Sequence, residues 1–112
     1  KYGGKLKKKS IPKPHGFGDE EVLIKVHAAS INPVDKLFIQ GDLKLVKDVA
    51  SFPHVVCYDA AGTVEVADKA GTFVVGDAVF TRLFGPAPGV EAKTPWYRGS
   101  LAEYCVARAE NC

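Results

Sequence analysis

A chain of 112 residues with 46% hydrophobic content can bury one core without disulfide support, and a net charge of +2, from 15 basic and 13 acidic side chains, creates no field that demands a polyanionic partner. Its three cysteines, Cys57, Cys105 and Cys112, are widely spaced with no CxxC pair, which argues against a disulfide framework or structural zinc and for a reducing compartment. No apolar run approaches the ~20 residues of a membrane span, and no apolar segment follows the lysine-rich start as in a secretory signal, so a soluble, cytoplasmic protein that does not enter a membrane is expected.

The first eighteen residues carry Lys1, Lys5, Lys7, Lys8, Lys9 and Lys13 and no acid. Residues 1–10 read as an edge strand or hairpin turning at Gly3-Gly4, with lysines guarding the edge. The alternative, a nucleic-acid or anionic-surface patch, lacks interleaved aromatic residues beyond Tyr2, and no nucleic-acid partner is expected. Pro12, Pro14, Gly16 and Gly18 then demand a loop. From Glu21, Val22, Ile24, Val26 and Ala28 alternate with Leu23, Lys25, His27 and Ala29, the period of a strand with one buried face.

Asn32-Pro33-Val34-Asp35 has the chemistry of a helix start: a capping amide, a proline suited to the first helical position, and a carboxylate near the positive end. Val34, Leu37 and Phe38 keep helical spacing and Gly41 stops the helix after about two turns. Residues 42–51 fit either a loop or another helical turn. After Phe52-Pro53 a strand runs from Tyr58 to Ala67; its Ala60-Ala61-Gly62 sacrifices packing, which a strand tolerates where another backbone or a ligand comes close. Asp68 to Gly71 and Gly76-Asp77 read as turns, Ala78 to Phe84 as a strand, residues 85–98 as a long Pro/Gly-rich loop, and Gly99 to Arg108 as a final strand. The sum is one mainly β domain, a mostly antiparallel barrel or sandwich, with no repeat, no βαβ alternation and no phosphate-binding glycine motif.

Chemistry-bearing residues are sparse. His15, His27 and His54 have no metal-ligand spacing, and each reads more simply as exposed or structural. No GxSxG elbow or Cys-His signature supports a hydrolase. Cys57 reads as a small buried hydrophobe before it reads as a reactive thiol. Asn32 has a plain role as a helix cap and a functional one, because a cap at a strand end aims its amide at whatever lies beyond. Tyr58 and Asp59 divide in the same way between core or loop duties and a site.

Residues Glu21 to Asp35, EVLIKVHAASINPVD, resemble the stretch E-V-L-[IV]-K-V-x-A-A-[SG]-[IVL]-N-P-x-D of zinc-independent quinone oxidoreductases and related enone reductases, in the medium-chain dehydrogenase/reductase superfamily. Phe52 to Val64, Phe73 to Phe80 and Gly99 to Tyr104 resemble three further elements of that family, in its order. The resemblance implies a GroES-like, partly open β-barrel with one or two short helices, occupying residues 1–112 and followed in such enzymes by a Rossmann domain. It implies NADPH-dependent hydride transfer to a quinone or an α,β-unsaturated carbonyl. Where zinc-dependent relatives carry a cysteine and Gly-His-Glu, this chain has Asn32 and Cys57-Tyr58-Asp59, so no metal is expected. By the same resemblance Asn32 lies at the cofactor and substrate end of the cleft, Tyr58 lines it as a hydrogen-bond donor, and Asp59 holds the corner in shape. A lysine follows an aromatic after the N-P-x-D corner in many relatives; here Lys36 precedes Leu37, which places its cofactor contact in doubt by one helical position. Cys57 stands for the usual glycine, implying a local backbone change or an unusual pocket edge. A homodimer is compatible with the resemblance, and these residues without a dinucleotide domain are expected to be inactive. The competing reading is a GroES-like binding or assembly module without catalysis.

Overall fold

The computed structural model describes residues 5–15, 18–41, 55–83 and 99–112. Four strands, β1 (Glu21–Ser30), β2 (Asp59–Val66), β3 (Ala78–Arg82) and β4 (Tyr104–Arg108), form one antiparallel sheet in the order β3-β2-β1-β4. Among the described residues one helix, α1 (Pro33–Gln40), follows β1, and a 3₁₀ turn (Ala109–Asn111) follows β4. The expected mainly β architecture is present, and among the described residues the sheet is not closed.

Val22, Ile24, Ala60, Val64, Cys105, Ala107 and Ala109 make the core, with Val26, Phe73, Val79 and Leu83 packed around it. In register, Ile24 sits between Val64 on β2 and Cys105 on β4, so the middle strand binds both neighbours through the same residue. The expected alternation in β1 is only half realised. Glu21, Val22, Leu23 and Ile24 are all buried, because this end of β1 is covered on both faces. Further along, the β1–β2 register shifts between Val26 and Ala28, a bulge around His27 that reverses which residues face inward. Ala28, expected inside, is therefore exposed, and Ala29 is half-buried.

Two boundaries are corrected. Residues 5–15 contain no strand: Lys5 to Ser10 are exposed and Pro12 and Pro14 withhold ladder donors, so no edge strand forms over the described part of 1–10. Lys13 instead reaches Glu65 on β2 at 3.0 Å and lies over the Tyr104 ring of β4 at 4.3 Å. The final strand begins at Tyr104, since Ser100 and Leu101 donate their N–H groups to Cys57 and Val56 rather than to β1. The ambiguous stretch 42–51, His54, and the loop 85–98 lie outside the described residues.

Candidate functional site

The site is built where β1 ends. Ser30 pairs with Asp59, the first residue of β2, so the corner leading into α1 lies directly beside the start of the neighbouring strand. Asn32 keeps an extended backbone, and its N–H donates to Asp35 Oδ2 at 2.6 Å while the Asp35 N–H donates to the Asn32 carbonyl at 2.9 Å. This exchange fixes the first turn of α1 and supplies the acidic residue that its positive end favours. Gly41 ends the helix in the left-handed conformation, as the sequence required.

The Asn32 side chain turns toward β2. Its Nδ2 donates to Asp59 Oδ2 at 2.7 Å, and Ser30 Oγ donates to its Oδ1 at 3.3 Å. Asp59 is held through its backbone as well: the fully buried Ser100 donates its hydroxyl to the Asp59 carbonyl at 2.8 Å and its N–H to the Cys57 carbonyl at 3.0 Å. Gly99 makes this possible, because a Cβ there would collide with the Val55 and Val56 backbone. Sequence reasoning reached Ser100 only as part of a family motif; nothing local marked its hydroxyl as a tie to Asp59.

Cys57 adopts φ of 70° where the resemblance expects glycine. The glycine-type backbone is retained with a side chain in it, at a cost of about 1–2 kcal/mol for an L-residue in this region. Cys57 is 2% exposed, and burial, reinforced by the charges of Asp35 and Asp59, pushes its thiol up to about 11. It is a neutral, buried filler of the corner. Asp35 is 1% exposed, and its Oδ1 has no hydrogen-bond partner among the described residues.

Tyr58 is 5% exposed and meets Phe38 of α1 edge-on, with centroids 6.2 Å apart and rings at 81°. Its carbonyl accepts the Leu83 N–H at 2.7 Å. Thus Asn32, Asp59 and Ser30 are brought together, and Tyr58 adjoins them in the chain while packing on the helix. Lys36 is exposed on α1, and no hydrogen bond or ion pair joins it to this corner. His27 is exposed, 3.5 Å from the Thr63 hydroxyl, and His15 is exposed in the N-terminal segment. An open groove of about 520 Å³ runs from Ser30 and Asp59 past Ala28 and Ala61 to Phe80 and Arg82. Phe80 and Arg82 were not singled out from sequence, although two-residue spacing on a strand puts them on one face. A hollow of about 480 Å³ beside Glu21 and Arg108 shares no residue with the corner.

The profile of the alcohol dehydrogenase GroES-like domain family matches residues 18–112, nearly the whole chain. The chain belongs to that family. This GroES-like domain is 42% identical over 98 residues to human quinone oxidoreductase, covering 87% of the domain and 24% of the relative. It is 38% identical over 87 residues to the chloroplastic NADPH-dependent alkenal/one oxidoreductase of Arabidopsis thaliana, covering 77% and 21%. Relatives named as zinc-type alcohol dehydrogenase-like proteins also match. A mycobacterial protein solved in complex with NADPH superposes with a TM-score of 0.63 at 29% identity, covering 92% of the domain and 26% of that chain. The domain spans about a quarter of the length of the curated relatives it matches.

Proposed function

We propose that this GroES-like domain is the substrate side of a metal-free, NADPH-dependent reductase acting on quinones or α,β-unsaturated carbonyls, working beside a nucleotide-binding domain. The observation that carries the reading is the Asn32–Asp59 hydrogen bond at the mouth of the groove, which presents an organised polar corner whose one zinc-ligand type, the Asp59 carboxylate, is engaged by the Asn32 amide, with no cluster of three metal-ligating side chains among the described residues. Asn32 and Tyr58 offer no imidazole or thiolate, and the Cys57 thiol keeps its proton to about 11. The quinone and alkenal/one oxidoreductase relatives support the substrate class, and the NADPH-bound neighbour supports the cofactor.

Reduced nicotinamide supplies the hydride; the domain binds, orients and excludes water. In this reading Asn32 meets the nicotinamide and the substrate at the end of the cleft. Tyr58, next to Asp59 in the chain, donates a hydrogen bond to the acceptor oxygen where charge develops. Ala60 and Ala61 keep the groove wall low enough for a flat ring to approach, and Phe80 flanks it. A second reading, a binding module without catalysis, draws support from the sheet, which among the described residues is unclosed with β3 and β4 at its edges.

The test is NADPH oxidation with a quinone and with an enone, by residues 1–112 alone and by the same residues joined to a nucleotide-binding domain. Turnover is expected from the joined protein only. Turnover by the 112 residues alone would overturn the two-domain reading, and none from either would favour the binding module.

A further inference from the structure

The geometry points to Asp59 as a positioning residue that sets which end of the Asn32 amide faces the ligand, an inference that rests on the reading above. An ionised carboxylate only accepts hydrogen bonds, so the group 2.7 Å from Asp59 Oδ2 has to be the Asn32 NH₂ and not its oxygen. The amide cannot rotate by half a turn without setting Oδ1 against a carboxylate oxygen. Asn32 is fixed at the backbone too, through its N–H bond to Asp35 Oδ2 and the returning Asp35 N–H bond to its carbonyl. Asp59 is fixed by the buried Ser100 hydroxyl on its carbonyl and by its register opposite Ser30. Neither partner of the amide–carboxylate bond is left to choose its own orientation.

This decides what the corner can recognise. Among the described residues, the hydrogen bond that Asn32 Oδ1 accepts is the 3.3 Å one from Ser30 Oγ, on the exposed side, and a carbonyl oxygen has two lone pairs. The open end of the amide is therefore an acceptor. A ligand oxygen gaining negative charge would be poorly placed against Nδ2, because the Asp59 carboxylate is already there and like charges repel. The corner suits a ligand N–H donor, the chemistry of a primary carboxamide such as that on the nicotinamide ring. It orients the cofactor ring and leaves polarisation of the substrate carbonyl to other groups.

The experiment uses the two-domain protein with D59N and with the exchange variant N32D/D59N, which restores an amide–carboxylate pair in the reverse direction and again turns an acceptor outward. NADPH dissociation constants come from fluorescence titration, the Asn32 side-chain NH₂ is followed by ¹⁵N NMR, and thermal melts report folding. D59N should weaken NADPH binding by roughly five- to tenfold and shift the Asn32 NH₂ resonances, and the exchange should recover most of the binding. A D59N protein that melts earlier but binds NADPH as the wild type does would overturn the inference, as would an exchange variant that binds no better than D59N. Failure of the wild type to turn over any quinone or enone would count against the substrate reading alone, because the titration and the NH₂ resonances report on the corner without turnover.

Discussion

Cys57 concentrates the residue-scale physics of the corner. Its left-handed backbone favours glycine, yet the side chain fills buried space next to Asp35 and Asp59. The usual value for such a thiol is 9.0, and burial pushes it to about 11. Thiolate is the reactive form, so at pH 8 the reactive fraction falls about a hundredfold below that of an unperturbed cysteine. Alkylation with iodoacetamide, mapped by mass spectrometry on the folded protein, should leave Cys57 unmodified while a free-cysteine standard reacts to completion. Labelling of Cys57 at the standard's rate would show that neither the burial nor the two carboxylates act on it. Cys105, pushed to about 12 chiefly by burial, should be still slower.

At the scale of elements, β1 and β2 depend on how closely their backbones approach at Gly62. A Cβ on Gly62 would run into the Lys25 carbonyl, so Gly62→Ala has to push the two central strands apart. Overpacking of this kind costs about 1–3 kcal/mol, and a urea titration should show it as a lower midpoint with the slope unchanged. An unchanged midpoint would mean that the β1–β2 ladder yields more readily than its register implies. The glycine, the strand around it and the helix start at Asn32 were all legible in the sequence, because each rests on local chemistry: a missing side chain, a period of two, a cap followed by proline and aspartate. What was not legible came from pairing between distant residues. The bulge at His27 that exposes Ala28, the burial of Leu23, and the diversion of Ser100 and Leu101 to Cys57 and Val56 are set by which strands become neighbours, and no local pattern encodes that. The Asn32–Asp59 bond, spanning 27 positions, belongs to the same class: both residues drew notice separately, and only the fold joined them.

At the scale of the whole molecule, the sheet is open among the described residues, and two carboxylates pull stability in opposite directions as pH changes. Phe80 on the edge strand β3 is 80% exposed beside Ala61, so an apolar strip lies next to an unpaired ladder among the described residues. Residues 1–112 alone should self-associate reversibly as concentration rises, and Phe80→Lys should suppress this in sedimentation velocity; equal behaviour of the two would show that the strip is not adhesive.

The two carboxylates govern pH dependence. Glu21, 2% exposed, is raised above its usual range chiefly by burial, against the lowering effects of the Gly18 N–H bond and the Arg108 charge. Burial would also raise Asp68, but hydrogen bonds from the Thr72 hydroxyl and from the Thr72 and Phe73 N–H groups outweigh it and hold Asp68 below its usual range. For Glu21 the folded state holds more protons than the unfolded state between the ordinary and the raised value. Its contribution is therefore full below the ordinary glutamate value and is lost as pH rises through the folded one. Asp68 has the opposite sign: it stabilises above the ordinary aspartate value and that stability is lost as pH falls through the lowered one. Glu21→Gln keeps an acceptor for the Gly18 N–H and removes the buried charge, so its urea midpoint should exceed that of the wild type at neutral pH, with the gain shrinking toward about pH 4 as the wild-type carboxyl takes up its proton. Asp68→Asn should fall below the wild type at neutral pH and converge with it in stronger acid. A Glu21→Gln difference that stayed constant across the titration would mean that the side chain acts through packing and the Gly18 bond, and that its charge is not what the fold opposes.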